Sequence, residues 1–493
     1  MVRSMRARAR STGLPPDECH RSPTLNSIPP EPTNLQAEED APTRDGSTAS
    51  TSALRILLKR LSTAATGQVV TFAVGMSNQI VLTHALRVEG YGRYALVMTS
   101  AALLAWAVSL GSQIALPAWV RGDAARARAC LGIAAAYLGV LGALAGAGFL
   151  LMPLPVSRLM SATIDPSIGR WLLPTTVASL IYFLSLGLLS GLTMFRAYAV
   201  VSVANVSILL ALNLLWLTAD GSGQRALLHL NLAYVASGAL AITVLLIRIG
   251  AGAVAPWRSL FRERGAATWR IYVASLTRMV LLRTPFYLVE RLLGPVALGL
   301  YALADYLMNL IWRPTGIAGQ VLQASAAAEE RAVGPLEAAW LGRVLGAITL
   351  VAFGLIALMR PAGFVVVFGR GFGATYPILL LLAPGAWAYA VFVALDYYYA
   401  AHDYPWMLAR TFLASAGVTL LLGLPLAKHF GVAGVAAAYG TGLMAVLFLG
   451  AASFARTHQI RWRAIVAPTS GDVALVRELL RRRKPDSAAT GGS

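Results

Sequence analysis

The feature that most constrains this chain is a recurrence of apolar stretches, each about 20 residues long, between residues 62 and 453. A helix rises about 1.5 Å per residue, so each stretch is long enough to cross the hydrocarbon of a bilayer. In hydrocarbon, backbone N–H and C=O groups must be satisfied within the segment, which makes a run of this kind a helix. The stretches fall near 62–86, 94–118, 129–152, 171–193, 198–218 and 227–247, then 271–290, 298–322, 341–359, 376–400, 406–427 and 430–453. They predict an all-α polytopic membrane protein of about 12 transmembrane helices with almost no soluble part. Composition agrees: 57% of the 493 residues are hydrophobic and only 13% charged, about half the charge of a soluble chain.

The formal charge of +19 would suit a nucleic-acid binder, but its placement does not. Arg121, Arg126, Arg128, Arg196, the Arg248–Arg270 cluster, Arg331, Arg343, Arg456, Arg461 and Arg463 fall on one side of the predicted spans, with fewer and more scattered cations opposite. The positive-inside rule then puts both termini in the cytoplasm of a cell-membrane protein. Residues 1–52 are rich in Pro, Ser and Thr, have no leader-like apolar core, and read as a disordered cytoplasmic tail. Leu54–Leu61 is a basic amphipathic stretch suited to the membrane interface. The basic tail 456–493, ending in Arg481–Lys484, suits either anionic lipid or water. Cys19 lies in a tail and Cys130 in a span, so no disulfide is expected, and no Cys/His spacing suggests a metal or other cofactor.

An internal repeat organises the spans. Gly92-Arg93-Tyr94-Ala95-Leu96 opens the second, and Gly299-Leu300-Tyr301-Ala302-Leu303 opens the eighth. Pro174 matches Pro384, and Tyr234 matches Tyr439; the offsets are 207, 210 and 205. They divide the chain into lobes at 53–248 and 271–455, joined by a basic linker at 249–270. A shift of six helices keeps both lobes in one orientation, as parallel pseudo-symmetric six-helix bundles with a substrate path between them.

Charges at bilayer depth are costly and face the bundle interior. The seventh span carries Arg278 and Arg283, with Glu290 near its end and Pro285 expected to kink it. Asp305 and Arg313 follow in the eighth, Asp396 in the tenth and Arg410 in the eleventh. The first half is polar but uncharged, with Asn78, Gln79, Asn205, His229 and Asn231. Each has a structural alternative: Arg278–Asp305 or Arg283–Glu290 as ion pairs, snorkelling for Arg313 and Arg410, interhelical hydrogen bonds for the amides. Tyr397-Tyr398-Tyr399 with Tyr404 and Trp406 reads as an aromatic belt at the membrane interface. Gly369-Arg370-Gly371-Phe372-Gly373 reads as a tight external turn rather than a nucleotide loop.

Four segments carry a family resemblance. Glu89-Gly90-Tyr91-Gly92-Arg93-Tyr94-Ala95-Leu96 with Leu110-Gly111, and its repeat Leu293-Gly294-Pro295-Val296-Ala297-Leu298-Gly299-Leu300-Tyr301, are two of them. The others are Phe368-Gly369-Arg370-Gly371-Phe372 and Phe430-Gly431-Val432-Ala433-Gly434-Val435-Ala436-Ala437-Ala438. Together, over residues 55–455, the chain resembles the polysaccharide-transporter (Wzx-type) flippases of the multidrug/oligosaccharidyl-lipid/polysaccharide (MOP) exporter superfamily. It departs in showing twelve spans where many members have fourteen.

The resemblance implies a non-enzymatic flippase that moves undecaprenyl-pyrophosphate-linked oligosaccharide units across the cytoplasmic membrane by alternating access, for exopolysaccharide, capsule or lipopolysaccharide (O-antigen) assembly. It implies a pyrophosphate site at Arg278 and Arg283 helped by Arg410 and Arg313, sugar contacts from Asn78, Gln79, Asn205 and Asn231, and coupling to a proton or sodium ion at Asp305 or Asp396. Partners would be the lipid-linked cargo, membrane lipids, a polysaccharide polymerase and a chain-length regulator. Beside it stand a multidrug or peptidoglycan-precursor exporter of the same superfamily, and a membrane-embedded polysaccharide polymerase or ligase. The last usually needs a large external loop, whereas the longest one here, about 153–170, holds only Arg158, Asp165 and Arg170 as charges.

Overall fold

The computed structural model describes residues 46–109, 116, 119–120, 123–151, 166–217, 221–250, 257–328, 334–401 and 405–467. Most of the N-terminal tail, residues 468–493, Arg331 and Tyr404 lie outside them, as do the side chains of Leu54–Leu61 and Arg313. The chain divides into Met1–Leu54 and Arg55–Ser493, and apart from the first turns of α1 the architecture below is that of the second unit.

Among the described residues, nine continuous helices are long and apolar enough to cross a membrane. They are α1 (Gly46–Val108), α2 (Ala124–Leu151), α3 (Leu172–Gly191), α4 (Phe195–Leu212) and α5 (Gly223–Ile249), then α6 (Trp257–Ala328), α7 (Pro335–Leu358), α8 (Thr375–Ala401) and α9 (Pro405–His458). Three of them are too long to be single spans: the apolar parts of α1, α6 and α9 run for 40, 44 and 53 residues. At about 1.5 Å per residue, 40 residues would reach about twice the hydrocarbon thickness. Each is therefore broken once, by non-helical backbone at Arg87, Gly294 and Gly431. Nine helices with three breaks give the twelve expected spans, at close to the expected positions.

The backbone also carries the duplication. Arg87 (φ 55°) and Gly294 (φ 83°) are 207 residues apart, Gly221 (φ 57°) and Gly431 (φ 58°) are 210 apart, and Gly250 (φ 78°) and Gln459 (φ 54°) are 209 apart. Left-handed backbone thus recurs at the offset of the sequence repeat. It divides the fold into a first lobe, α1–α5, and a second, α6–α9, as two pseudo-symmetric bundles. The most buried span of each lobe is α3 in one and α8 in the other, at 72%; these are the helices that carry the repeat-related Pro174 and Pro384.

In lipid, helices associate through close packing rather than through the hydrophobic effect. The lobes meet in that way at the repeat glycines. A Cβ on Gly92 would strike the Pro295 carbonyl, and one on Gly299 the Val88 carbonyl, so the α1 and α6 limbs cross at a reciprocal pair of bare backbones. The glycine-rich turn completes this end of the interface: Gly369 has φ 94°, and Phe372 packs edge-on against Tyr91 at 5.8 Å. Three α6 tyrosines add hydrogen bonds to α1: Tyr272 to the Ala107 carbonyl, Tyr306 to the Gly75 carbonyl and Tyr287 with the Ser100 hydroxyl, all at 3.0 Å.

Some expectations need correction. The segment 249–270 is helical from Trp257, as the first turns of α6. The expected tail is ordered at its start: Trp462–Val466 is a short helix whose Ile465 is buried, and Arg343 of α7 donates to the Ala464 carbonyl. The aromatic belt also fails for two of its tyrosines. Tyr398 and Tyr399 are buried, packed edge-on against Phe454 of α9, because α8 is enclosed by α6, α7 and α9 and has no lipid-facing side there. In α6 the break lies at Gly294, and backbone angles stay helical through Pro285.

Candidate functional site: a charged cleft between the lobes

A cleft of about 200 Å³ opens between the lobes. The first lobe contributes Tyr91, Ala95 and Met98 from the second limb of α1; the second contributes Arg283, Phe286, Ala302, Asp305, Tyr306, Asn309 and Leu310, all from α6. The Gly294 break makes this possible, because it folds α6 back so that Arg283 on one limb faces Asp305 on the other.

Arg283 and Asp305 form an ion pair with 3.6 Å between Arg Nη1 and Asp Oδ2, longer than a hydrogen bond. The two ends are unequally placed: the Asp305 side chain is 4% exposed and that of Arg283 23%. Asn309, one helical turn on, donates to the Asp305 carboxylate at 2.8 Å and to its backbone carbonyl at 2.7 Å. The guanidinium lies 5.6 Å from the centre of the Phe286 ring, and its Nε makes no hydrogen bond to the protein. The buried hydroxyls of Tyr301 and Tyr439 make none either, although both lie near enough to feel Asp305 and Arg283.

Arg278 is placed elsewhere. It donates to Asp396 of α8 at 3.1 Å, within the second lobe, with Tyr389 and Tyr397 beside the pair. Tyr389 is in turn held by Trp312, with ring centres 4.6 Å apart. The pairings Arg278–Asp305 and Arg283–Glu290 are therefore replaced by Arg278–Asp396 and Arg283–Asp305, because the fold-back at Gly294 and the approach of α8 decide which carboxylate each arginine meets. Arg410 is exposed near the start of α9 and does not line the cleft.

The first-lobe amides are buried in contacts between helices. Asn213 donates to the Asn78 carbonyl oxygen at 2.7 Å and pairs with His229 Nδ1 at 2.8 Å. Asn205 donates to Ser237 at 2.9 Å and Asn231 to Thr175 at 3.1 Å, while Gln79 donates to the Tyr91 hydroxyl. Of these residues only Tyr91 reaches the cleft. Among the described residues, no three His, Cys, Asp or Glu side chains could share a metal ion.

The repeat shows that the charge belongs to one lobe. At the offset of 207 that relates Gly92 to Gly299, Arg283 corresponds to Met76 and Asp305 to Met98. Met98 lines the same cleft, so an apolar pair in one lobe stands where the other has an ion pair. Sequence reasoning missed Tyr91, Phe286, Tyr306 and Asn309. Asn309 had a signal, four residues after an intramembrane aspartate and so on the same helix face.

No protein-family model matches the chain, and no curated protein sequence matches it. Solved structures do. A MOP-superfamily transporter from Pyrococcus furiosus, described as having a binding pocket whose reverse polarity suggests a different function, aligns over 82% of this chain and 95% of its own at 13% identity, with a TM-score of 0.61. The Vibrio cholerae MATE transporter VcmN, in a bent form, aligns over 84% and 100% at 11% identity, TM-score 0.57. The MATE multidrug transporter DinF-BH, in complex with R6G, aligns over 82% and 96% at 15% identity, TM-score 0.53. The chain is a multi-pass membrane protein with the two-lobe fold of the MOP-superfamily transporters.

Proposed function

We propose that the protein is a flippase carrying undecaprenyl-pyrophosphate-linked oligosaccharide units from the cytoplasmic to the periplasmic leaflet, upstream of a polymerase and a chain-length regulator in polysaccharide assembly. The observation that carries this reading is the polarity of the interlobe cleft. Of its two charged groups the carboxylate is the buried one, already held by Asn309, and the guanidinium side chain is the more exposed. A planar guanidinium binds phosphate oxygens bidentately, and a pyrophosphate cannot cross hydrocarbon without such compensation. The cleft is smaller than the ~300–1,000 Å³ usual for a drug-sized ligand, so it suits the head group, and the sugars require the lobes to part. Alternating access then consists of opening and closing the lobes around Arg283, with no covalent chemistry.

A second reading, export of cationic drugs, draws on Asp305 together with the apolar and aromatic Met98, Phe286 and Tyr306. Proteoliposomes separate the two. The flippase reading expects Arg283→Ala to cut translocation of a fluorescent lipid-linked oligosaccharide at least tenfold, with no export of organic cations by the wild type. If a folded Arg283→Ala protein flips lipid-linked oligosaccharide at the wild-type rate, the flippase reading is wrong. Ethidium export that depends on Asp305 but not on Arg283 would establish the drug reading in its place.

A further inference from the structure

Beyond the last span the chain turns back on itself. Gln459, in the left-handed region at φ 54°, follows α9, and Trp462–Val466 is a short helix packed against α7 and α9. Two contacts fix its depth. The Trp462 ring lies 5.6 Å from that of Phe448, ten residues back from the end of α9, and Arg343, eight residues into α7, donates to the Ala464 carbonyl. At about 1.5 Å per residue, the tail has returned about 12–15 Å along both helices. Phe448 is 64% exposed and belongs to a stretch long and apolar enough to cross the bilayer, so its open side faces lipid. Trp462 therefore sits where hydrocarbon meets head groups, the depth at which tryptophan is enriched in membrane proteins. Ile465 is fully buried and holds the turn in place.

Three arginines lie on this hook: Arg456 in the last turn of α9, and Arg461 and Arg463 on either side of Trp462. All three are exposed, and among the described residues none has an ion pair. The sequence around them offers no counter-charge: no acidic residue occurs between Asp403 and Asp472. Glu337, at the adjoining start of α7, is taken by the Gly334 amide. The first lobe has no such cluster. At the offset of 209 that relates Gly250 to Gln459, Arg456 corresponds to Ile247, and Arg461-Trp462-Arg463 to Gly252-Ala253-Val254. We propose that Arg456, Arg461 and Arg463 hold the head group of an anionic phospholipid of the surrounding bilayer, with Trp462 and Phe448 against the upper part of its acyl chains. Guanidinium groups bind phosphate bidentately, and basic clusters beside a membrane helix attract anionic head groups. A free phosphate would meet the charge but not the two exposed rings. The bound lipid holds the short helix down on α7 through Arg343 and Ala464, and so ties the end of α9 to the start of α7. This site is separate from the interlobe cleft and does not depend on the cargo.

The test uses the full chain in detergent micelles, titrated with phosphatidylglycerol or with phosphatidylcholine of the same acyl chains, and counts bound lipid by native mass spectrometry. Phosphatidylglycerol should be retained in preference to phosphatidylcholine. Each arginine beside anionic lipid strengthens binding about fivefold, so Arg456→Gln, Arg461→Gln and Arg463→Gln together should weaken it about a hundredfold. Arg291→Gln with Arg370→Gln, both exposed at the opposite end of the fold, should leave it unchanged. Hydrogen exchange of the wild type needs no variant to fold: phosphatidylglycerol, but not phosphatidylcholine, should slow exchange at residues 460–467. Equal retention of the two lipids, or wild-type affinity in the triple variant, would overturn the proposal. So would protection confined to 468–493, or the same protection at 460–467 from inorganic phosphate alone.

Discussion

The glycine crossing between the lobes offers the sharpest test of the fold. Replacing Gly299 with alanine places a Cβ against the Val88 carbonyl group, 2.9 Å from its carbon and closer still to its oxygen. Both obstacles are backbone, so no side chain can rotate away and the α1 and α6 limbs must separate. Gly92→Ala does the same from the other side, against the Pro295 carbonyl and the Gly299 nitrogen at 2.8 Å. Overpacking of this kind costs about 1–3 kcal/mol, or about 5- to 150-fold in the balance between joined and parted lobes. Gly139 and Gly354 are controls, since a Cβ at either meets nothing within 4 Å. Alanine there should be neutral or stabilise by up to about 1 kcal/mol through helix propensity. Spin labels at Leu228 and Leu292, exposed on the first and second lobes, report the separation in double electron–electron resonance after Cys19 and Cys130 are replaced. Both crossing variants should move the distribution to longer distances, and the controls should not. If Gly92→Ala and Gly299→Ala keep the wild-type distribution, the lobes do not close on bare backbone at this crossing.

Other outcomes follow from single contacts. Tyr306→Phe removes the hydrogen bond to the Gly75 carbonyl, worth about 0.5–1.5 kcal/mol, and should shift the same spin-label distribution toward parted lobes. Asp396→Ala should destabilise strongly, by about 3–5 kcal/mol, because it strands Arg278; Arg278→Ala with Asp396→Ala should recover much of that loss in thermal unfolding. Arg87 has φ 55° and ψ −175°, a conformation natural only to glycine and costing about 1–3 kcal/mol, so Arg87→Gly should raise thermal stability, as its repeat partner Gly294 suggests. Asn213→Ala should lower stability by about 1–3 kcal/mol, since Asn78 and His229 both lose their partner in a dry interior.

The apolar run length determined the number of helices, because bilayer thickness is a one-dimensional constraint that each stretch meets by itself. The duplication was also legible: the offset found from Gly92 and Gly299 returns in the left-handed backbone at Arg87 and Gly294 and at Gly221 and Gly431. Sequence likewise singled out Arg278, Arg283, Asp305 and Asp396, because a charge in an apolar run is conspicuous. Only the tertiary structure decided which of them meet. Whether Arg283 faces Glu290 or Asp305 depends on the fold-back at Gly294 and on the rotation of each helix about its axis, neither of which hydropathy encodes. The same dependence moved Tyr398 and Tyr399 from an expected interface belt into the core, and it set Arg283, rather than Arg278, at the cleft between the lobes.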